Sequence, residues 1–96
     1  MVRATAGWVS VQESGQPLVG LTVLVASVGG EGVQVLGLGE TGPQGHFRLE
    51  WPRLPGPVDL AILLASSDGR LLGRSHHRGV SGAELQVQLT VPANLL

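Results

Sequence analysis

Along most of this 96-residue chain apolar residues recur at every second position. Alternation of that kind puts one set of side chains on each face of an extended strand, whereas a helix repeats its apolar positions every three to four residues. Leu21, Val23 and Val25 alternate ahead of a glycine cluster at Gly29-Gly30-Glu31-Gly32. Phe47, Leu49 and Trp51 alternate against His46, Arg48 and Glu50. Leu85, Val87, Leu89 and Val91 alternate against Glu84, Gln86, Gln88 and Thr90. Fifteen glycines and six prolines interrupt these runs at short intervals, so the pattern predicts many short strands joined by turns. Seven are expected, over 3–12, 18–27, 33–40, 46–51, 58–66, 70–75 and 83–91. The segment from Pro52 to Pro57 is expected to be a loop, because its three prolines lack the amide donor a ladder needs. The predicted architecture is all-β, a seven-stranded Greek-key β-sandwich, with residues 1–96 as one domain.

Some strands depart from simple alternation, and the departures carry information. In the first, Val2, Ala4, Ala6 and Trp8 are even while Val9 and Val11 are odd. Gly7 lies at the change, which predicts a β-bulge there and an outward Trp8. The second and fifth strands are apolar on both faces: Leu24, Ala26 and Val28 oppose Leu21, Val23 and Val25, and Ala61, Leu63 and Ala65 oppose Leu60, Ile62 and Leu64. In the third, Leu36 and Leu38 are expected on the face that Val33 and Val35 do not occupy. A two-sheet sandwich covers only one face of each sheet, so a second apolar face calls for a partner. An interface is therefore expected at Trp8, Leu24, Ala26 and Leu63, on one sheet face. Burying Leu24, Leu63 and Trp8 would contribute roughly 5–8 kcal/mol before association costs of similar size. Gln86 and Gln88 join this set, because the last strand lacks the lysine or proline that blunts an exposed edge.

Composition narrows the rest. The net charge of −1, with arginine as the only strong base, gives no electrostatic footprint for nucleic acid. There is no cysteine, lysine or tyrosine, which removes thiol chemistry and disulfides. No apolar run approaches the roughly 18 residues of a membrane helix. The first residues lack the apolar core of a secretory leader. The compartment expected is cytoplasmic for a complete chain, and extracellular or surface for one excised from a longer protein.

The turn residues carry a resemblance. Gly15-Gln16-Pro17-Leu18-Val19-Gly20 is similar to a Gly-x-Pro-Leu-x-Gly hairpin, and Thr41 with Gly45-His46-Phe47 to a Thr-x-x-x-Gly-x-Phe hairpin. Asp59-Leu60 and Asp68-Gly69-Arg70-Leu71-Leu72 resemble an Asp-Leu strand and an Asp-Gly turn. Together, over Ala6 to Val91, the chain resembles the transthyretin-like, carboxypeptidase-regulatory-like β-sandwich domains. Gly42-Pro43-Gln44 departs from the Asp-containing turn usual in that family. The resemblance implies a non-catalytic spacer, chaperone-like appendage or adhesion module of a larger protein. Its catalytic relatives do not transfer. The ring-opening hydrolase of purine breakdown ends in Tyr-Arg-Gly-Ser, whereas this chain ends Pro92-Ala93-Asn94-Leu95-Leu96. Intradiol-type dioxygenases need two tyrosines for iron, and isopeptide-linked adhesins need a lysine.

The remaining chemistry-bearing residues do not converge on a pattern. His76-His77 are adjacent, so on a strand their rings point to opposite faces; solvated loop histidines are expected. Ser75, His76 and Asp68 lack the strand-to-helix elbow of a serine hydrolase. Asp59 and Asp68 are too few for a calcium site. The cluster Gly29-Gly30-Glu31-Gly32 has neither the lysine nor the helix of a phosphate loop. Trp51 continues the Phe47/Leu49 face and is expected in the core. No catalytic residue, cofactor or metal is assigned. The function expected is a non-catalytic protein-interaction module, self-associating or docking on another protein. A carbohydrate-binding module using Trp8 is the alternative, and a transthyretin-like hydrolase ranks last.

Overall fold

The fold, as a computed structural model, describes residues 2–29, 32–52, 54 and 56–96. Gly30 and Glu31 of the glycine cluster, and Arg53 and Pro55 of the proline segment, lie outside the described residues. Among these residues the chain forms seven strands: β1 (Val2–Val11), β2 (Thr22–Gly29), β3 (Gly32–Glu40), β4 (His46–Pro52), β5 (Val58–Ala65), β6 (Leu71–Val80) and β7 (Glu84–Val91). They make two sheets, one ordered β4-β1-β7 and the other β3-β2-β5-β6. The expected seven-stranded sandwich is the observed one. The β1–β2, β3–β4, β4–β5 and β6–β7 connections cross between sheets, while β2–β3 and β5–β6 are hairpins within the four-stranded sheet. The first and last strands lie side by side and parallel; the other pairs are antiparallel.

The inner faces interleave into one core. Val9, Val23, Val25, Ile62 and Val91 are wholly enclosed, packed with Phe47, Trp51, Leu60, Leu64 and Leu72. Each such side chain contributes about 1.5–3 kcal/mol on leaving water. Trp51 is in this core as expected, and its Nε1 donates to Thr5 Oγ1 at 3.2 Å, which satisfies both buried polar atoms. The Arg3 guanidinium lies 5.9 Å from the centre of the Trp51 ring and donates to the Val80 carbonyl at 3.1 Å. That placement covers one end of the core with a cation over an aromatic face.

Three local expectations are corrected. β1 has no bulge at Gly7: its register runs unbroken from Ala4 to Trp8 against both β4 and β7. The glycine is there because β7 comes so close that a Cβ would fall 2.0 Å from the Val87 carbonyl oxygen. The irregularity lies instead where β2 meets β3, at Val25/Ala26, with Leu36 as the extra residue of β3. Leu36 therefore packs against the core, and Leu38 shares the outer face with Val33 and Val35. Third, β6 continues to Val80, so His76 and His77 stand on a strand rather than in a loop.

The two motif turns are sheet-to-sheet crossings. At the first, Val11 N donates to Gln16 O and Leu18 N to Val9 O before the chain leaves for β2. At the second, Thr41 Oγ1 accepts from Leu21 N at 3.0 Å, and Gly45 adopts a φ of +73° directly under the Val9 carbonyl. Only glycine fits there, since a Cβ would lie 2.3 Å from that oxygen.

Candidate interaction surface

The bulge in β3 decides the character of one whole face. It leaves Val33, Val35 and Leu38 on the outside of the four-stranded sheet, 69%, 58% and 65% exposed. Their neighbours across the ladder are Val28, Ala26 and Leu24 on β2, and Leu24 pairs on its other side with Leu63 of β5. The result is an apolar stripe running from the β3 edge across the middle of the sheet. Arg74 and His76, opposite Leu63 and Ala61, bound it on β6. Leu24 and Leu63 are half-buried because strands flank them on both sides.

Of the residues expected at an interface, Leu24 and Leu63 are brought together here, and two are displaced. Ala26 is on this face but only 1% exposed. Its single methyl sits on an interior strand between Val35 and Ala61, with Leu24 and Val28 on either side of it along β2, so it floors the stripe and contacts nothing beyond. Trp8 is outward and 43% exposed, but it belongs to β1 in the other sheet. Trp8 and Leu24 therefore occupy opposite outer faces, and no single partner surface covers both. The periodicity that marked each residue as outward carries no record of which sheet it joins. Leu38, with Val33 and Val35 the most exposed part of the stripe, falls on the wrong face when the strand is read as unbroken; the parity change from Val33 and Val35 to Leu36 and Leu38, with Gly37 beside it, is the signal of the bulge.

Around Trp8 the surface is different. The ring meets His46 edge-on, with centroids 5.1 Å apart. Arg48 bonds to Glu50 and lies 3.5 Å from Glu84 of β7. The acid–base contact with Glu50, and then the field of Glu84, raise the Arg48 guanidinium above its already high ordinary value. Gln86 and Gln88 are exposed on β7, and β7 lies at the edge of its sheet, so the strand without lysine or proline is an open one.

The histidines and the serine sort by strand parity. Ser75 Oγ lies 2.7 Å from His77 Nε2, both half-buried and both on the side of β6 that faces the interior. His76 points the other way, opposite Ala61. The Asp68 carboxylate is held by the Ser66 hydroxyl and accepts from Arg70 N at 3.3 Å, in the β5–β6 turn. Ser75, His76 and Asp68 are thus three separate environments. Among the described residues no group of three His, Asp or Glu side chains is placed to hold a metal ion.

No family model and no curated protein matches the chain. Among solved structures it is similar to part of a 9R-lipoxygenase from Cyanothece PCC8801, with a TM-score of 0.71 at 18% sequence identity. The likeness covers 95% of this chain and 16% of that one. At that identity it shows the fold alone: a small β-sandwich that is also found as a minor part of a much longer chain.

Proposed function

We propose that this chain is a non-catalytic protein-interaction module of the transthyretin-like, carboxypeptidase-regulatory-like kind, working within a larger protein or assembly. Its docking surface is the apolar outer face of the four-stranded sheet, centred on Val35, Leu38, Leu24 and Leu63. The observation that carries this is the exposure of Val33, Val35 and Leu38 beside those half-buried leucines, which together form a contiguous apolar face. Covering Leu38 alone would contribute about 1.5–3 kcal/mol, before the cost of association. The family reading draws support from Thr41, Gly45 and Phe47, which fill roles that their motif needs: a backbone latch, a tight glycine turn and a core anchor. The likeness to a sixth of a lipoxygenase chain supports a modular role and brings none of that enzyme's activity with it.

The test is a photo-activated cross-linking residue placed at Val35 in the full chain, expressed in its native host. One predominant protein adduct is expected, lost when Leu38→Asp is added. Adducts no more selective than those from the same probe at exposed Gln12 would end the proposal. The exposed Trp8 beside His46 favours one second reading, carbohydrate stacking on the opposite sheet. Glycan-array binding abolished by Trp8→Ala would support it, and a silent array would remove it.

A further inference from the structure

The four sheet edges are not alike. β4 ends in Pro52 and carries Arg48 and Glu50. β3 is bulged. β6 has two register shifts against β5 and displays Arg74 and Arg78. β7 has neither proline nor basic residue, and its register against β1 is unbroken. Those are the features by which edges resist pairing; among the described strands β7 alone of the four edges lacks proline, base and bulge, and its single charge, Glu84, stands at its first residue.

The direction of its backbone groups follows from β1. Ala4 N donates to Ala83 O, and Gln12 N donates to Val91 O. Odd-numbered residues of β7 thus turn their amides and carbonyls toward β1. Alternation turns those of Glu84, Gln86, Gln88 and Thr90 to the open side. On that open side the sequence Leu85-Gln86-Val87-Gln88-Leu89 reads the same in both directions.

We infer that β7 is the seam of a twofold homodimer, pairing antiparallel with β7 of a second copy about Val87. In that register every residue meets its own kind: Leu85 the partner's Leu89, Gln86 the partner's Gln88, Val87 the partner's Val87. The contact is self-complementary, as an isologous interface must be. Gln86 and Gln88 point their backbone groups outward, so they form the hydrogen-bonded pairs, with about four bonds exchanged around the axis. Val87 faces β1 with its backbone and forms the close pair between them. Charge agrees with the antiparallel sense. Glu84 falls opposite the partner's Thr90, whereas an in-register parallel pair would set the two Glu84 carboxylates against each other. The pairing also accounts for the groove of 360 Å³ between β6 and β7, lined by Leu72, Leu89 and Leu95. The partner's Leu85, beside Leu89 on the inner face, lies over it.

The experiment is the solution mass of the full chain by light scattering, from micromolar to millimolar. The expected value approaches twice 9.9 kDa. Gln88→Pro removes a donor on the open side and none of those facing β1, so it should halve the mass while leaving the far-ultraviolet circular dichroism unchanged. Gln86→Lys with Gln88→Lys, and Gln86→Glu with Gln88→Glu, should each be monomeric alone and form a mixed dimer when combined. That rescue holds the proposal to account even if the proline variant misfolds. A wild type that stays at 9.9 kDa at millimolar concentration overturns the pairing and leaves the edge to a strand from another protein. A dimer unaffected by either charge pair overturns it equally. The stripe on the four-stranded sheet is a different surface, so Leu38→Asp should leave this dimer intact while it abolishes the Val35 cross-link.

Discussion

The two sheets share a strand grammar and end with opposite outer surfaces. On the three-stranded sheet the middle strand presents Ala4 and Ala6, and both methyls are buried between Glu50, Arg48, Glu84 and Gln86 on the flanking strands. On the four-stranded sheet the interior strands also present small methyls, Ala26 and Ala61, and these too are buried. What differs is what surrounds them: Leu24 and Leu63 on the interior strands and Val33, Val35 and Leu38 on β3, where β4 and β7 contribute arginine, glutamate and glutamine. Long polar stems lie across neighbouring methyls while their heads stay in water; valine cannot do this. The wetness of a sheet's exterior therefore depends on polar strands at both margins: β6 brings Arg74 and His76 to one side of the four-stranded sheet, but β3 brings Val33, Val35 and Leu38 to the other.

The seam of the three-stranded sheet is also the tighter, and substitution should show it. Gly7→Ala should cost at least about 2–3 kcal/mol, because its Cβ would collide with backbone rather than a movable side chain. Gly73→Ala on β6 meets nothing within 4 Å and should be neutral or stabilising by about 0.5–1 kcal/mol. Urea denaturation of both variants checks this, and equal losses would erase the distinction. Next comes the exposed stripe. Leu38→Lys should change stability by less than about 0.5 kcal/mol. A loss of about 2–5 kcal/mol, the size of a core truncation, would mean that the stripe is already covered in the free protein.

The smallest effect concerns pH at the β5–β6 turn. The Ser66 hydroxyl, and then the Arg70 amide, hold the Asp68 carboxyl below its ordinary value of 3.8. A depressed carboxyl contributes stability that is present above the unfolded value and is lost as pH falls through the folded one. Ser66→Ala should return Asp68 toward 3.8 in a nuclear magnetic resonance titration and narrow that acid window. An unchanged titration would place the cause elsewhere. Asp68 is fully exposed, so the change in overall stability should be slight.

Much of this architecture was legible because turns and alternation are local. Phe47, Leu49 and Trp51 declare an inner face, and Gly-Pro clusters declare the crossings. Other features depend on how distant segments meet. A glycine inside a strand has two physical explanations, a bulge or a close approach, and Gly7 has the second although its neighbours suggest the first. The parity change from Val35 to Leu36, with Gly37 beside it, is the same cue that Gly7 gives, and here it marks a real bulge. β6 reaches Val80 despite His76-His77-Arg78, since Ser75 and His77 on its inner side satisfy each other while His76 and Arg78 point outward. Nor does outwardness specify a sheet, which is why Trp8 and Leu24 looked like neighbours.

Because β1 and β7 run parallel, the start of the first strand and the end of the last lie at opposite ends of the seam between them. A pull on the two ends drags these strands lengthwise past each other. All the amide bonds between them then bear the load together, instead of opening one after another like a zip. A module strung between mechanically stressed neighbours would yield abruptly, after holding, rather than fray.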